Sequence, residues 1–182
     1  MGSTIDAGLE RMKRALDRGM SFEGATVMLE FGGNDCAYDW REVSEHPEEK
    51  HKPKIEMGRF CELYREAISL AKSAGGNVML TSLVPIDATK YMNFISRGLS
   101  YDNILSWLGD VNMLYRWHEG YNRAVEQLAD DCSLPLFDLR GEFLYTHAFK
   151  SLICDDGIHP TAEGHRMIED ILVNSLSRVG AA

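Results

Sequence analysis

The chain has 182 residues, 45% of them hydrophobic and 26% charged, the mixture of one soluble globular domain with a core of useful size. Its 19 Lys and Arg face 28 Asp and Glu, and the net charge of −9 repels phosphate backbones and anionic lipid, which argues against nucleic acid and membrane surfaces as partners. No apolar run approaches the length of a membrane span. The four cysteines, Cys36, Cys61, Cys132 and Cys154, are widely spaced with no Cys-x-x-Cys pair, so free thiols in a reducing cytoplasm are the expected state. The first residues, "MGSTIDAGLERMKRAL", hold no apolar stretch of the signal-peptide kind.

In chain order, "DAGLERMKRALDR" (6–18) places Leu9, Met12, Ala15 and Leu16 at helical spacing, with Gly19 as the stop. "ATVMLEF" (25–31) is a short apolar run with a β-branched centre and predicts a buried strand. "REVSEHPEEKHKPK" (41–54) is charged and broken by proline, and predicts a solvated loop in which His46 and His51 point to nothing specific. An amphipathic helix is expected over 55–75 and a second strand over 77–86, ending at Pro85. Residues 87–110 are aromatic-rich and are expected to form an irregular insertion. A long helix over 111–132, a strand over 134–139 and a last helix over 161–176 complete the chain. Strands alternating with helices predict βαβ units, hence a parallel sheet with helices on both faces. In such sheets function gathers beyond the carboxyl ends of the strands.

Two such ends carry candidate chemistry. After the first predicted strand comes "GGNDCAYDW" (32–40). The Asn34 amide can offer N–H donors to an oxyanion developing on an attacked carbonyl, and Asp35 can pin the loop by accepting backbone N–H bonds; taken alone, the segment also fits a plain glycine turn. Downstream of the third strand comes "CDDGIHPTAEGH" (154–165). Asp156 and His159, three positions apart on a loop, can place a carboxylate on one imidazole nitrogen, which fixes the tautomer and leaves the other nitrogen free to take a proton. Here Pro160 is expected to preorganise the start of the last helix. The bland alternative is a helix-capping aspartate beside a surface histidine.

Taken together and in this order, "GGND" and "DGIHPTAEGH" resemble two conserved blocks of the SGNH or GDSL-type hydrolases. "NDCAYDW", "SLVPIDATKY", "NILSWLGD" and "YRWHEGYN" extend the resemblance to a bacterial branch of esterase-like members. The resemblance implies a three-layer α/β/α, flavodoxin-like fold in a single domain spanning 1–182, and serine-dependent hydrolysis of a small acyl or acetyl ester without cofactor or metal. It assigns His159 as base, Asp156 as its orienting partner and Asn34 as an oxyanion donor. It also aligns Gly2 with the glycine that gives the oxyanion hole a backbone N–H.

The family's Gly-Asp-Ser block does not occur in the chain. Ser3, in "MGSTIDAG", is a poor substitute, since no strand precedes it and a single helix separates it from the strand leading to Asn34. The expectation is therefore a chain that lacks the first strands and the nucleophile. In the expected strand order 2-1-3-4-5, the "ATVML" strand then becomes an apolar edge, to be covered by further chain or by a second copy. A non-catalytic ligand-binding or interaction module on the same fold is the alternative reading.

Among the aromatics near the predicted strand ends, Tyr38 and Trp40, with Asp35, are candidates for a substrate pocket, and Tyr91, Phe94, Tyr101, Trp107, Tyr115 and Trp117 could line it or pack the insertion. His118 is expected on a helix surface, and His165 is expected to pack or cap. A metal-dependent phosphoesterase is disfavoured, because Asp35 stands where that class needs histidine and no His-x-His or Asp-x-His pair occurs.

Overall fold

The protein is described here by a computed structural model covering residues 3–179. In chain order the elements are α1 (Ile5–Asp17), β1 (Thr26–Leu29), α2 (Trp40–Glu45), α3 (Met57–Ser73), β2 (Asn77–Thr81), α4 (Ala88–Ile95), α5 (Tyr101–Leu108), α6 (Asn112–Asp131), β3 (Leu136–Phe137), α7 (Leu139–Tyr145), α8 (Phe149–Leu152) and α9 (Ala162–Val179). The sheet runs β1-β2-β3, and β1 pairs with β2 in parallel, Thr26 opposite Asn77 through Leu29 opposite Leu80. The protein is thus α/β with a small parallel sheet, as the alternation of apolar runs and amphipathic helices implies. Among the described residues β1 is an edge strand, and its Met28 is 40% exposed.

The chain divides into two compact units. The first takes residues up to Asp39, His51–Leu83 and Gly120–Leu136. Its core holds Ile5 and Leu9 of α1, Phe60, Tyr64 and Ile68 of α3, Leu80 of β2, and Tyr121, Val125 and Leu128 of α6. Phe60 meets Tyr64 and Tyr121 edge to face, with ring centres 5.3 and 5.1 Å apart. The buried Tyr64 hydroxyl donates to the Leu29 carbonyl at 3.0 Å, which satisfies an acceptor at the end of β1. β2 is shorter than its apolar run because the Leu83 N–H turns to the Asn122 side-chain oxygen at 2.9 Å.

The second unit takes Trp40–Lys50, Val84–Glu119 and the chain from Phe137. Phe143, Leu152 and Ile153 form a buried cluster against Val84, Phe149, Met167 and Ile168. Two expectations are corrected in this unit. Residues 87–110 are not irregular: Asp87 caps α4 by accepting the N–H of Thr89 and Lys90, and Ser100 caps α5 by accepting that of Asn103. The charged stretch 41–54 is not all loop, since α2 occupies its start and the Ser44 hydroxyl accepts the Ser100 N–H at 2.9 Å. Trp40, Tyr91 and Trp107 pack within this unit: Trp40 meets the other two edge to face at 6.2 and 6.4 Å and donates its indole N–H to the Tyr91 hydroxyl.

Candidate active site

The loop between α8 and α9 is closed at its base by an antiparallel bridge between Ile153 and Pro160. The Cys154 N–H donates to the His159 carbonyl at 2.8 Å, and the Thr161 N–H to that of Leu152 at 2.8 Å. Pro160 therefore belongs to this bridge and does not open the helix. Thr161 starts it instead, its hydroxyl accepting the Gly164 N–H at 3.2 Å. At the loop tip the Asp156 carboxylate is held from both sides. Its Oδ1 accepts the backbone N–H of Ile158 and of His159, each at 3.0 Å, and its Oδ2 lies 2.7 Å from His159 Nδ1. Burial works against ionisation of Asp156, but the two backbone N–H groups and the imidazole outweigh it and hold the carboxyl below its usual range. An ionised carboxylate can only accept, so Nδ1 carries the proton and the lone pair of the neutral ring sits on Nε2. The His159 side chain is 66% exposed against 22% for Asp156, so the imidazole faces solvent while the carboxylate is held inside the loop.

Gly157 lies between the pair with φ +80°, a left-handed conformation. A Cβ there would meet the Tyr91 backbone nitrogen at 2.2 Å, so only glycine lets the loop pack against the first turn of α4. The Asp87 N–H donates to the Gly157 carbonyl at 2.9 Å. Nothing in the pattern around 154–165 signals this partner; the Asp-Ala-Thr-Lys cap of α4 is its one local mark in the sequence.

In the first unit, Asn34 is half-buried in the turn that follows β1. Gly32 opens that turn with φ +139°, its carbonyl accepting the Cys36 N–H at 2.9 Å, and a Cβ there would press into Leu83 at 2.7 Å. Asp35 is fully buried; its Oδ1 accepts the Ile5 N–H at the start of α1 at 2.7 Å, while Oδ2 has no hydrogen-bond partner. Burial pushes the Asp35 carboxyl up, against the pull of the Ile5 and Gly32 N–H groups. Tyr38 is buried in the same unit and Trp40 half-buried in the other. The structure thus brings Asp156 and His159 together, and it places Asn34, Asp35 and Tyr38 in the unit that does not contain that pair. Gly2 lies outside the described residues.

His118 is not on a helix surface as expected. It is 5% exposed, and its Nδ1 has no hydrogen-bond partner. Burial, with the positive charge of Arg140 behind it, lowers its pKa to about 3, so the ring is neutral. Arg140, itself buried, reaches the carboxylate of the neighbouring Glu119 at 2.7 Å and lies over the Tyr115 ring. His165 is exposed on α9. Among the described residues, a group able to approach a metal ion is His46, Glu48 and Glu49, whose ligand atoms lie within 4.8 Å of one another on an exposed turn. All four cysteines are free thiols, and no described helix is long and apolar enough to cross a membrane.

The model of the GDSL-like lipase/acylhydrolase family matches residues 2–167. No curated protein sequence matches the chain. Among solved structures, similarity extends to a GDSL-like lipase from Bacteroides thetaiotaomicron (TM-score 0.64, 16% identity, 97% of this chain and 72% of that one). It extends also to the lipase/acylhydrolase from Enterococcus faecalis (0.59, 16%, 96% and 70%). A third is a catalytic mutant of Axe2, an acetylxylan esterase from Geobacillus stearothermophilus (0.60, 17%, 94% and 67%).

Proposed function

The chain belongs to the GDSL-like lipase/acylhydrolase family, and from that premise we propose that it is the base-bearing part of an ester hydrolase acting on a small acyl or acetyl ester. The observation that carries this reading is the Asp156–His159 pair, a solvent-facing imidazole with a carboxylate fixed on Nδ1 at 2.7 Å. In the reaction a serine hydroxyl attacks the acyl carbonyl and passes its proton to His159 Nε2. Asp156 steadies the imidazolium so formed. The oxyanion accepts N–H donors from the Asn34 amide and the Gly2 backbone. His159 returns the proton to the departing alkoxide, and water, activated by the same base, cleaves the acyl-enzyme. The acetylxylan esterase among the structural neighbours supports an acetylated saccharide as one substrate class to assay. Asp35, Tyr38 and Trp40 remain the proposed pocket residues. The free thiols support a reducing, cytoplasmic setting.

No Gly-Asp-Ser occurs among the 182 residues, and the reading takes the attacking serine from outside them. The DNA immediately before the Met1 codon tests this. An in-frame Gly-Asp-Ser preceded by an apolar strand supports the hydrolase. A protein made with that segment should hydrolyse p-nitrophenyl acetate, and His159→Ala should slow it by about 10³-fold or more; an unchanged rate removes His159 from the mechanism. The missing serine also favours a second reading, a non-catalytic ligand-binding or interaction module, and an upstream sequence without such a block decides for it. Under either reading the β1 edge, with Met28 exposed, calls for a cover, which further chain or a second copy would supply.

A further inference from the structure

We infer that Lys90 is the positioning residue of the His159 loop: its ammonium fastens the base of that loop to α4 and so maintains the Asp156–His159 geometry. Lys90 Nζ donates to two backbone carbonyls, that of Lys150 at 2.7 Å and that of Ile153 at 2.6 Å. The first belongs to α8, a four-residue helix whose last carbonyls have no partner within the helix. The second belongs to the residue whose bridge to Pro160 closes the loop.

α4 grips the loop at a second point. The Asp87 N–H, one turn before Lys90, donates to the Gly157 carbonyl at 2.9 Å. The Asp87 carboxylate meanwhile accepts the Lys90 N–H at 3.0 Å, so both contacts come from one capped turn. Between the two gripped positions, Ile153 and Gly157, lies Asp156. The loop is thus held on either side of its carboxylate by the same turn of the same helix. An ammonium bonded to two carbonyls at these lengths forms charge-assisted bonds, roughly twice as strong as neutral ones. Without them, the tie of this loop to α4 would rest on the Asp87 bond and the packing of Gly157, against the entropy of a loop whose histidine is two-thirds exposed.

A plain helix-capping lysine would stabilise α8 and nothing else. A positioning lysine also moves a spectroscopic property of His159. Free neutral imidazole favours the Nε2–H tautomer, and the carboxylate on Nδ1 reverses that preference only while the loop holds its shape. The inference depends on the proposed hydrolase only for its catalytic consequence, since the tautomer is read on a chain that need turn over no ester.

The experiment is a long-range ¹⁵N–¹H spectrum of the imidazoles of the ¹⁵N-labelled 182-residue chain at about pH 8, where unperturbed histidines are neutral, with His159 assigned from the spectrum of His159→Gln. The expected wild-type form is Nδ1–H. Lys90→Met lowers the ratio of Nδ1–H to Nε2–H about fivefold or more, the equivalent of one net hydrogen bond, and Lys90→Arg, which retains charge and donors, stays within about twofold of wild type. Should Lys90→Met not fold, Lys90→Gln, with a donor left for one carbonyl, is read against the same fivefold expectation. An unchanged ratio in a folded Lys90→Met or Lys90→Gln protein, or an equal drop in Lys90→Arg, overturns the inference. A failure here leaves the hydrolase standing, and an inactive protein leaves the tautomer result standing.

Discussion

One carboxylate, that of Asp156, does three things at once: Oδ2 meets the imidazole of His159 at 2.7 Å while Oδ1 accepts the backbone N–H of the same histidine and of Ile158 at 3.0 Å. Side chain and main chain of His159 are thereby locked to the same group, so the direction of the ring is set by the turn that carries it. The spacing of three residues brings carboxylate and ring within reach of each other, and the Asp87 N–H on the Gly157 carbonyl ties the turn that carries them to α4.

The lowered Asp156 pKa makes the lock pH-dependent with a defined sign. A carboxyl more acidic in the folded than in the unfolded chain contributes stability that is fully present above the unfolded value of about 3.9 and is lost as pH falls through the folded value. Asp156→Asn removes that contribution. The difference in urea midpoint between wild type and Asp156→Asn is expected to be present at about pH 5 and to shrink below about pH 4. A difference that persists undiminished at pH 2 would assign the effect of Asp156 to packing. In a protein that contains the serine, the same substitution should slow ester hydrolysis by about 10³- to 10⁴-fold, because the amide favours the wrong tautomer.

How much of this was legible in the sequence follows from the kind of signal each part leaves. The helices α1, α3, α6 and α9 leave periodic patterns and β1 and β2 short apolar runs; all six begin within about two residues of their expected places, while β2 stops at Thr81, short of the expected 86. The Asp156–His159 pair is local, but its spacing also fits a capping aspartate beside a surface histidine, and the resemblance of both segments to the family's blocks is what singled it out. α4 and α5 were hidden because Asp87 and Ser100 read as loop residues unless taken as caps, the role both play. His118 was misread by its polarity. On α6 the buried positions Leu114, His118, Tyr121, Val125 and Leu128 follow a strict three-and-four spacing, and His118 falls on that stripe. Lys90 left no trace, since its partners are backbone carbonyls some sixty residues away, and backbone groups carry no sequence signature.

His118 carries its own pH dependence. Its pKa falls from the ordinary value of about 6.5 in the unfolded chain to about 3 when folded, because burial excludes the charged ring. The unfolded chain therefore takes up a proton that the folded one refuses, and stability is lost as pH falls from about 6.5 toward 3. At pH 4.5 the loss from this residue alone is about 3 kcal/mol, two pH units at ~1.4 kcal/mol each. His118→Leu should flatten that part of the stability profile between pH 7 and 4.5, as read from urea midpoints. Parallel profiles for the two proteins would show that His118 takes a proton without unfolding.

The β1 edge makes a prediction about association. Met28 is 40% exposed on a strand that ends the described sheet, and a charge on such an edge is the usual block to pairing with another chain. The 182-residue chain is expected to sediment with a weight-average mass that rises with concentration, and Met28→Lys should reduce that rise at unchanged circular dichroism. A wild-type chain that stays monomeric across the concentration range would show that nothing pairs with this edge.

Gly157 and Gly98 allow strain to be separated from crowding. Their φ angles are nearly equal, +80° and +75°, so an alanine at either bears the same left-handed penalty, about 1 kcal/mol. Their surroundings differ. A Cβ at Gly98 meets nothing within 4 Å, whereas at Gly157 it would lie 2.2 Å from the Tyr91 nitrogen and 2.7 Å from the Asp87 carbonyl oxygen, both rigid main-chain atoms. Gly98→Ala should therefore lower stability by about 1 kcal/mol, and Gly157→Ala by about 3 kcal/mol or more, measured by urea unfolding. Gly157→Ala should also part the loop from α4 and lose the Nδ1–H signature of His159, while Gly98→Ala leaves it intact. Equal costs for the two substitutions would mean that the loop packs against α4 loosely enough to yield, and would remove the close approach on which the fastening of the His159 loop depends.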